Sequence, residues 1–110
     1  MNECIFCKIA NKEIPVNPVY ENDEVIAFND LNPQAPVHIL VIPKKHYPSL
    51  KEVDDFSVMA KLFEAVSEIT KAHNISDFRT VINTGEKAGQ SVFHIHVHIL
   101  AGRPLNWPPG

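Results

Sequence analysis

The chain has 110 residues, which suits one domain able to bury its own core without staples. Hydrophobic residues at 45% and charged residues at 21% are ordinary for a globular protein. A net charge of −3 and a pI near 6.0 argue against a general nucleic-acid or membrane binder, although a nucleotide-sized anion can still bind locally.

The longest apolar runs, such as Ile39-Leu40-Val41-Ile42, are far too short to span a bilayer. Met1-Asn2-Glu3-Cys4 offers neither a basic region nor a long apolar one, so no secretory signal is expected. Two cysteines do not make a disulfide framework, and the expected compartment is the cytoplasm.

Cys4-Ile5-Phe6-Cys7 is a CxxC motif with no strand before it, unlike a thioredoxin-type redox pair. It suits half of a four-ligand zinc site, or two small side chains packed in a short segment. Ile14-Pro15 to Asn17-Pro18 is a connector, its prolines spoiling a helix. Val19-Tyr20-Glu21, a turn at Asn22-Asp23 and Val25-Ile26-Ala27-Phe28 read as a hairpin. A loop of turn residues, Asn29 to Pro36, leads to a strand, His38 to Ile42, that ends at Pro43 before Lys44-Lys45-His46.

Asp54 or Asp55 can cap a helix from about Phe56 to His73. Phe56, Met59, Leu62, Phe63, Val66 and Ile69 form its apolar stripe, which belongs to the core or a subunit interface. Phe78 to Ile82 is another strand, and Thr84 to Ser91 is a glycine-containing loop. The tail from Gly102 is irregular, and its Trp107 can pack on its own core. Strands grouped around one long helix give an α+β fold with a largely antiparallel sheet.

In Phe93-His94-Ile95-His96-Val97-His98-Ile99-Leu100, histidine alternates with apolar residues. In a strand this period of two puts the three imidazoles on one face and Ile95, Val97 and Ile99 on the other. His94 and His98 would then lie roughly 13 Å apart, so with bonds of ~2.0–2.1 Å the three converge poorly on one ion, although two of them could share one. At least one histidine is therefore expected to do covalent or acid–base work. A neutral imidazole is a competent nucleophile near pH 7, and phosphoryl-type transfer needs mainly positioning and charge stabilisation.

The triad resembles the histidine-triad (HIT) family motif, His-φ-His-φ-His-φ-φ with φ apolar. Asn29 to His46 is similar to that family's other long signature. Gly89-Gln90-Ser91-Val92-Phe93 and the ending Trp107-Pro108-Pro109-Gly110 resemble the Hint branch. The resemblance implies a single HIT domain over 1–110, α+β, with a mainly antiparallel sheet, one long helix and a short N-terminal helical segment.

It further implies a purine nucleoside phosphoramidase acting on purine nucleoside monophosphate derivatives. His96 would be the nucleophile, His98 and Ser91 would contact phosphate and aid proton delivery, and His38 would join the histidine cluster. Asp30 and Leu31 would meet the ribose, and Asn83, Gly89 and Gln90 would line the phosphate side. Without the resemblance, Asp30 would read as a turn former, Ser91 as a strand start, and Asn83 with Gly85 as a turn. A homodimer is implied, with no cofactor required for catalysis.

The cysteines depart from the Hint pattern of animals and resemble bacterial HIT proteins, which implies structural zinc on Cys4, Cys7, His46 and His94. Rival readings are a dinucleoside polyphosphate hydrolase of the same family, a metal-dependent hydrolase, and a non-catalytic nucleotide-binding or partner-binding module.

Overall fold

The computed structural model of the protein describes residues 4–110. Met1 to Glu3, used above in the reading on a secretory signal, lie outside the described residues. The elements are α1 (Ile5–Ala10), β1 (Tyr20–Glu21), β2 (Val25–Asn29), β3 (Val37–Pro43), α2 (Ser57–Ala72), β4 (Phe78–Val81) and β5 (Val97–Ala101). Short 3-10 turns occur at Leu50–Glu52 and Glu86–Ala88. The strands form one antiparallel sheet in the order β1-β2-β3-β5-β4. The fold is therefore α+β with the antiparallel sheet, long helix and short N-terminal helix expected from the sequence.

Alternation along β2, β3 and β5 divides the sheet into two working faces. Val25, Ala27, Ile39, Val41, Val97 and Ile99 are buried on one face against Leu62, Ala65, Val66 and Ile69 of α2. Ile26, Phe28, Leu40 and Ile42 point the other way, onto Phe6 and Ile9 of α1. A fully buried Ile, Leu or Val in either layer contributes roughly 1.5–3 kcal/mol. β3 and β5 pair with His98 opposite Leu40 and Leu100 opposite His38, so both histidines emerge on the α1 face.

The hairpin turn is held by Asn22, whose Oδ1 accepts from the N–H groups of Glu24 and Val25, both at 2.9 Å. Phe56, with no capping side chain, is the N-cap of α2 in place of the expected Asp54 or Asp55, although Asp55 Oδ1 just before it accepts from the Ser57 N–H at 3.1 Å and the Ser57 hydroxyl at 2.7 Å. The expected apolar stripe is only partly core. Leu62, Val66 and Ile69 are buried, whereas Phe56, at the helix start, and Phe63 are exposed. Trp107 is also exposed instead of packing on the core. Among the described residues, no helix is long and apolar enough to cross a membrane.

The histidine strand is shorter than its pattern. Only Val97–Ala101 pairs in the sheet, and His94 to His96 lie outside the ladder. Pro43 ends β3, and it has no N–H with which to extend the pairing. Its carbonyl accepts instead from His94 Nε2–H at 2.7 Å. The Ile95 N–H goes to the Tyr47 carbonyl at 2.8 Å. Leaving the sheet at this point lets neighbouring histidines turn to different partners.

Candidate active site

His94 is fully buried and faces the N-terminal helix. Its Nε2–H is held by Pro43, so Nδ1 carries the lone pair. Nδ1 lies 3.3 Å from Cys4 Sγ, 3.4 Å from Cys7 Sγ and 3.1 Å from His46 Nδ1. Cys7 Sγ is also 3.2 Å from His46 Nδ1. Bonds of ~2.0–2.3 Å to the corners of a tetrahedron would set ligand atoms ~3.3–3.8 Å apart. This two-sulfur, two-nitrogen set is close to that spacing and could hold a metal ion. Burial, with a smaller contribution from nearby His46 and His96, pushes His94 down to about 4 against the opposing pull of the Pro43 carbonyl. A neutral imidazole is also the form that ligates a metal.

His96 is buried, and its Nδ1–H donates to the His94 carbonyl at 2.8 Å. That bond fixes the tautomer and leaves the lone pair on Nε2. Among the described residues no fully buried side-chain nitrogen or oxygen lacks a partner, so an Nε2 without one must reach solvent. Phe6 meets the ring edge-on, with centroids 5.1 Å apart, and stiffens its orientation. Burial lowers the pKa of His96, while the His94 carbonyl and Asp30 oppose the shift. The result is an oriented imidazole whose Nε2 carries a lone pair that reaches solvent.

His98 lies beside it, with ring centroids 4.9 Å apart. The Gln34 N–H donates to His38 Nδ1 at 3.0 Å, so the proton of His38 is on Nε2. His38 Nε2–H then donates to His98 Nδ1 at 2.9 Å, which puts the proton of His98 on Nε2. Asp30 Oδ2 is 3.4 Å from His38 Nε2, while Asp30 Oδ1 accepts from the Asn32 N–H at 2.8 Å. Burial, reinforced by His96 and His38, pushes His98 down to about 4, and only partly does Asp30 oppose this. Asp30, His38 and His98 are close enough to suggest a second metal group. The tautomer argues otherwise, because His38 presents a proton where a ligand would present a lone pair.

The other sequence-predicted residues are more scattered. Ser91 is exposed and lines a groove of about 390 Å³ with Cys4, Ile5, Val92 and Phe93. Leu31 projects fully into solvent beside Asp30. Asn83 packs on Gly89, where an added Cβ would lie 3.5 Å from Asn83 Nδ2. Gln90, expected on the phosphate side, turns its side chain into the loop. It is buried, its Oε1 accepts from the Gly85 N–H at 2.9 Å, and its Nε2 donates to the carbonyls of Pro48 at 2.8 Å and Val92 at 3.1 Å. With its own N–H also bound to the Gly85 carbonyl, Gln90 braces the loop from within. A groove of about 710 Å³ runs past Phe78, Arg103 and Leu105 and contains none of the histidines. The histidine cluster is where an open imidazole lone pair, on His96, lies beside a proton-bearing nitrogen, on His98.

A family model, the HIT domain, matches residues 11–105, which includes the whole histidine cluster. The chain belongs to the HIT domain family. Among HIT relatives, Protein HitA of Neisseria gonorrhoeae is 49% identical over 108 residues, covering 96% of this chain and 100% of HitA. A HIT-like protein of Synechocystis is 50% identical over 111 residues, covering 98% of this chain and 97% of its own. A HIT family hydrolase from Legionella pneumophila superimposes with TM-score 0.93 at 42% identity, covering 98% of this chain and 100% of that one. A histidine triad protein from Clostridium difficile gives TM-score 0.92 at 49% identity, with 96% of each chain covered.

The HIT signature left three supporting groups unassigned. Phe6 sits between the two cysteines and offers no polar signal, and the Pro43 carbonyl has no side-chain signature at all. Gln34 acts through its backbone N–H, to which residue type is silent.

Proposed function

We propose that this HIT protein is a Hint-type hydrolase that cleaves purine nucleoside 5′-phosphoramidates through a nucleotidyl-histidine. The observation that carries the reading is His96: its Nδ1–H is locked on the His94 carbonyl and its Nε2 lone pair is open. In this reading Nε2 attacks the α-phosphorus, the P–N bond breaks, and its electron pair leaves with the amine nitrogen. His98 Nε2–H, with the Ser91 hydroxyl, supports the phosphate oxygens and the proton transfer to the amine. Water then attacks phosphorus, the bond to His96 breaks with its pair returning to Nε2, and the proton that water releases to solvent balances the one the departing amine takes up from solvent. Stabilisation of this kind relies on fixed donors in a partly dry site.

Asp30, with Leu31, would take the ribose, and Asn83 and Gly89 would sit toward the phosphate. We read Cys4, Cys7, His46 and His94 as a closed structural zinc site. Four protein ligands leave no open position, so the reaction is assigned to the histidines without a cofactor. We also infer a homodimer, supported by the open edge of β4 and the exposed Phe63 and Trp107. A one-chain mass in sedimentation would refute it.

The test is turnover by the purified protein of an adenosine phosphoramidate beside a diadenosine polyphosphate. Faster cleavage of the phosphoramidate is expected, and preference for the polyphosphate, or cleavage of neither, would overturn the reading. Asp30→Asn is expected to weaken ribonucleotide binding roughly tenfold, the scale of a charge-assisted hydrogen bond. Matched dideoxy analogues should lose much less, and equal losses would return Asp30 to turn formation.

A further inference from the structure

β5 ends at Ala101, and the chain then turns across the mostly exposed loop 30–36 that joins β2 to β3. Gly102 makes the approach possible. Its φ is +95°, and a Cβ there would lie 2.8 Å from Pro36 Cβ. Arg103 follows and donates from Nε at 3.1 Å and Nη2 at 3.0 Å to the Gln34 carbonyl, with Nη1 on the Pro104 carbonyl at 2.9 Å. Gln34 is the residue whose N–H selects the proton position on His38, and through it on His98.

We propose that Arg103 is a positioning residue: its guanidinium fork holds Gln34 where the backbone N–H fixes the tautomers of His38 and His98. The alternative arrangement shows what is at stake. If the Gln34 N–H withdraws, His38 can carry its proton on Nδ1, and His98 then donates from Nδ1 to His38. His98 Nε2 is left as a bare lone pair facing an anionic phosphate, where an N–H is needed. Two parallel N–H bonds fix direction as well as distance, which a lysine ammonium cannot match. The proposal rests on the reading of His98 as the proton-bearing partner of His96.

The experiment is imidazole nitrogen NMR on the resting protein at pH 8, together with steady-state kinetics, for wild type, Arg103→Gln and Arg103→Lys. Wild type should show His38 and His98 in the Nε2–H form. Arg103→Gln should show mixed tautomers at both, with Arg103→Lys intermediate. In Arg103→Gln, kcat should fall roughly threefold to tenfold, the worth of one hydrogen bond, with KM and melting temperature close to wild type. Unchanged tautomers in both variants, or Nδ1–H on wild-type His38, would overturn the proposal. The NMR readout needs no substrate, so redistributed tautomers in a protein that cleaves no phosphoramidate would remove the proposed activity and leave the positioning role standing.

Discussion

His96→Ala is expected to lower phosphoramidate turnover by ~10⁴-fold or more while leaving the fold and nucleotide binding in place. Removing a nucleophile abolishes the two-step path, and neighbouring groups cannot supply a second one. His98 cannot substitute, because its accessible nitrogen carries the proton rather than the lone pair. His94 cannot, because its Nε2–H is on Pro43 and its Nδ1 faces the cysteines. The substitution removes a buried ring, but His96 lies outside the strand ladder, so melting temperature should move by only a few degrees. Single-turnover assays over long times provide the check, and wild-type rates in the variant would end the nucleophile assignment.

Cys4→Ser and His94→Ala are expected to do the opposite. Each should lower bound metal, measured by elemental analysis of protein prepared without affinity-column metals, and lower melting temperature by about 10 °C or more. Structural zinc contributes its binding energy directly to folding, and a shift of that size corresponds to roughly 2–3 kcal/mol in a domain of this length. The loss should be partial, since both faces of the sheet retain their apolar layers. Turnover should fall secondarily, because the His94 carbonyl orients His96 and Phe6 rides on the cysteine helix. A metal-free wild type, with His94→Ala melting alongside it, would return His94 to the reaction centre.

Much of this was legible in the residues. Short apolar runs bounded by turn residues revealed β2 and β3, period-two alternation revealed the paired part of β5, and the stripe of α2 identified the helix that covers one sheet face. Asp55 marked the helix start to within one residue. The triad pattern pointed to the histidine cluster, and CxxC located one side of the group at His94.

What could not be read has specific causes. The histidine strand was overextended because alternation continues through Ile95, whereas Pro43 on the neighbouring strand stops the ladder there. Ideal strand geometry kept His94, His96 and His98 on one face, and leaving the sheet gave each a separate partner. The resemblance puts Gln90 on the phosphate side, and no local pattern shows the three bonds to backbone that turn its side chain inward. Arg103 lies 69 residues from the carbonyl it grips, and no local pattern encodes a contact between a tail and a distant loop.

Mass spectrometry of wild-type protein, acid-avoiding and quenched during turnover of an adenosine phosphoramidate, tests the central claim most directly. The account requires an added adenylate mass that maps to the peptide carrying His96 and is absent from His96→Ala. Turnover with no adduct on any histidine, or an adduct on His98 with His96 unmodified, would contradict it.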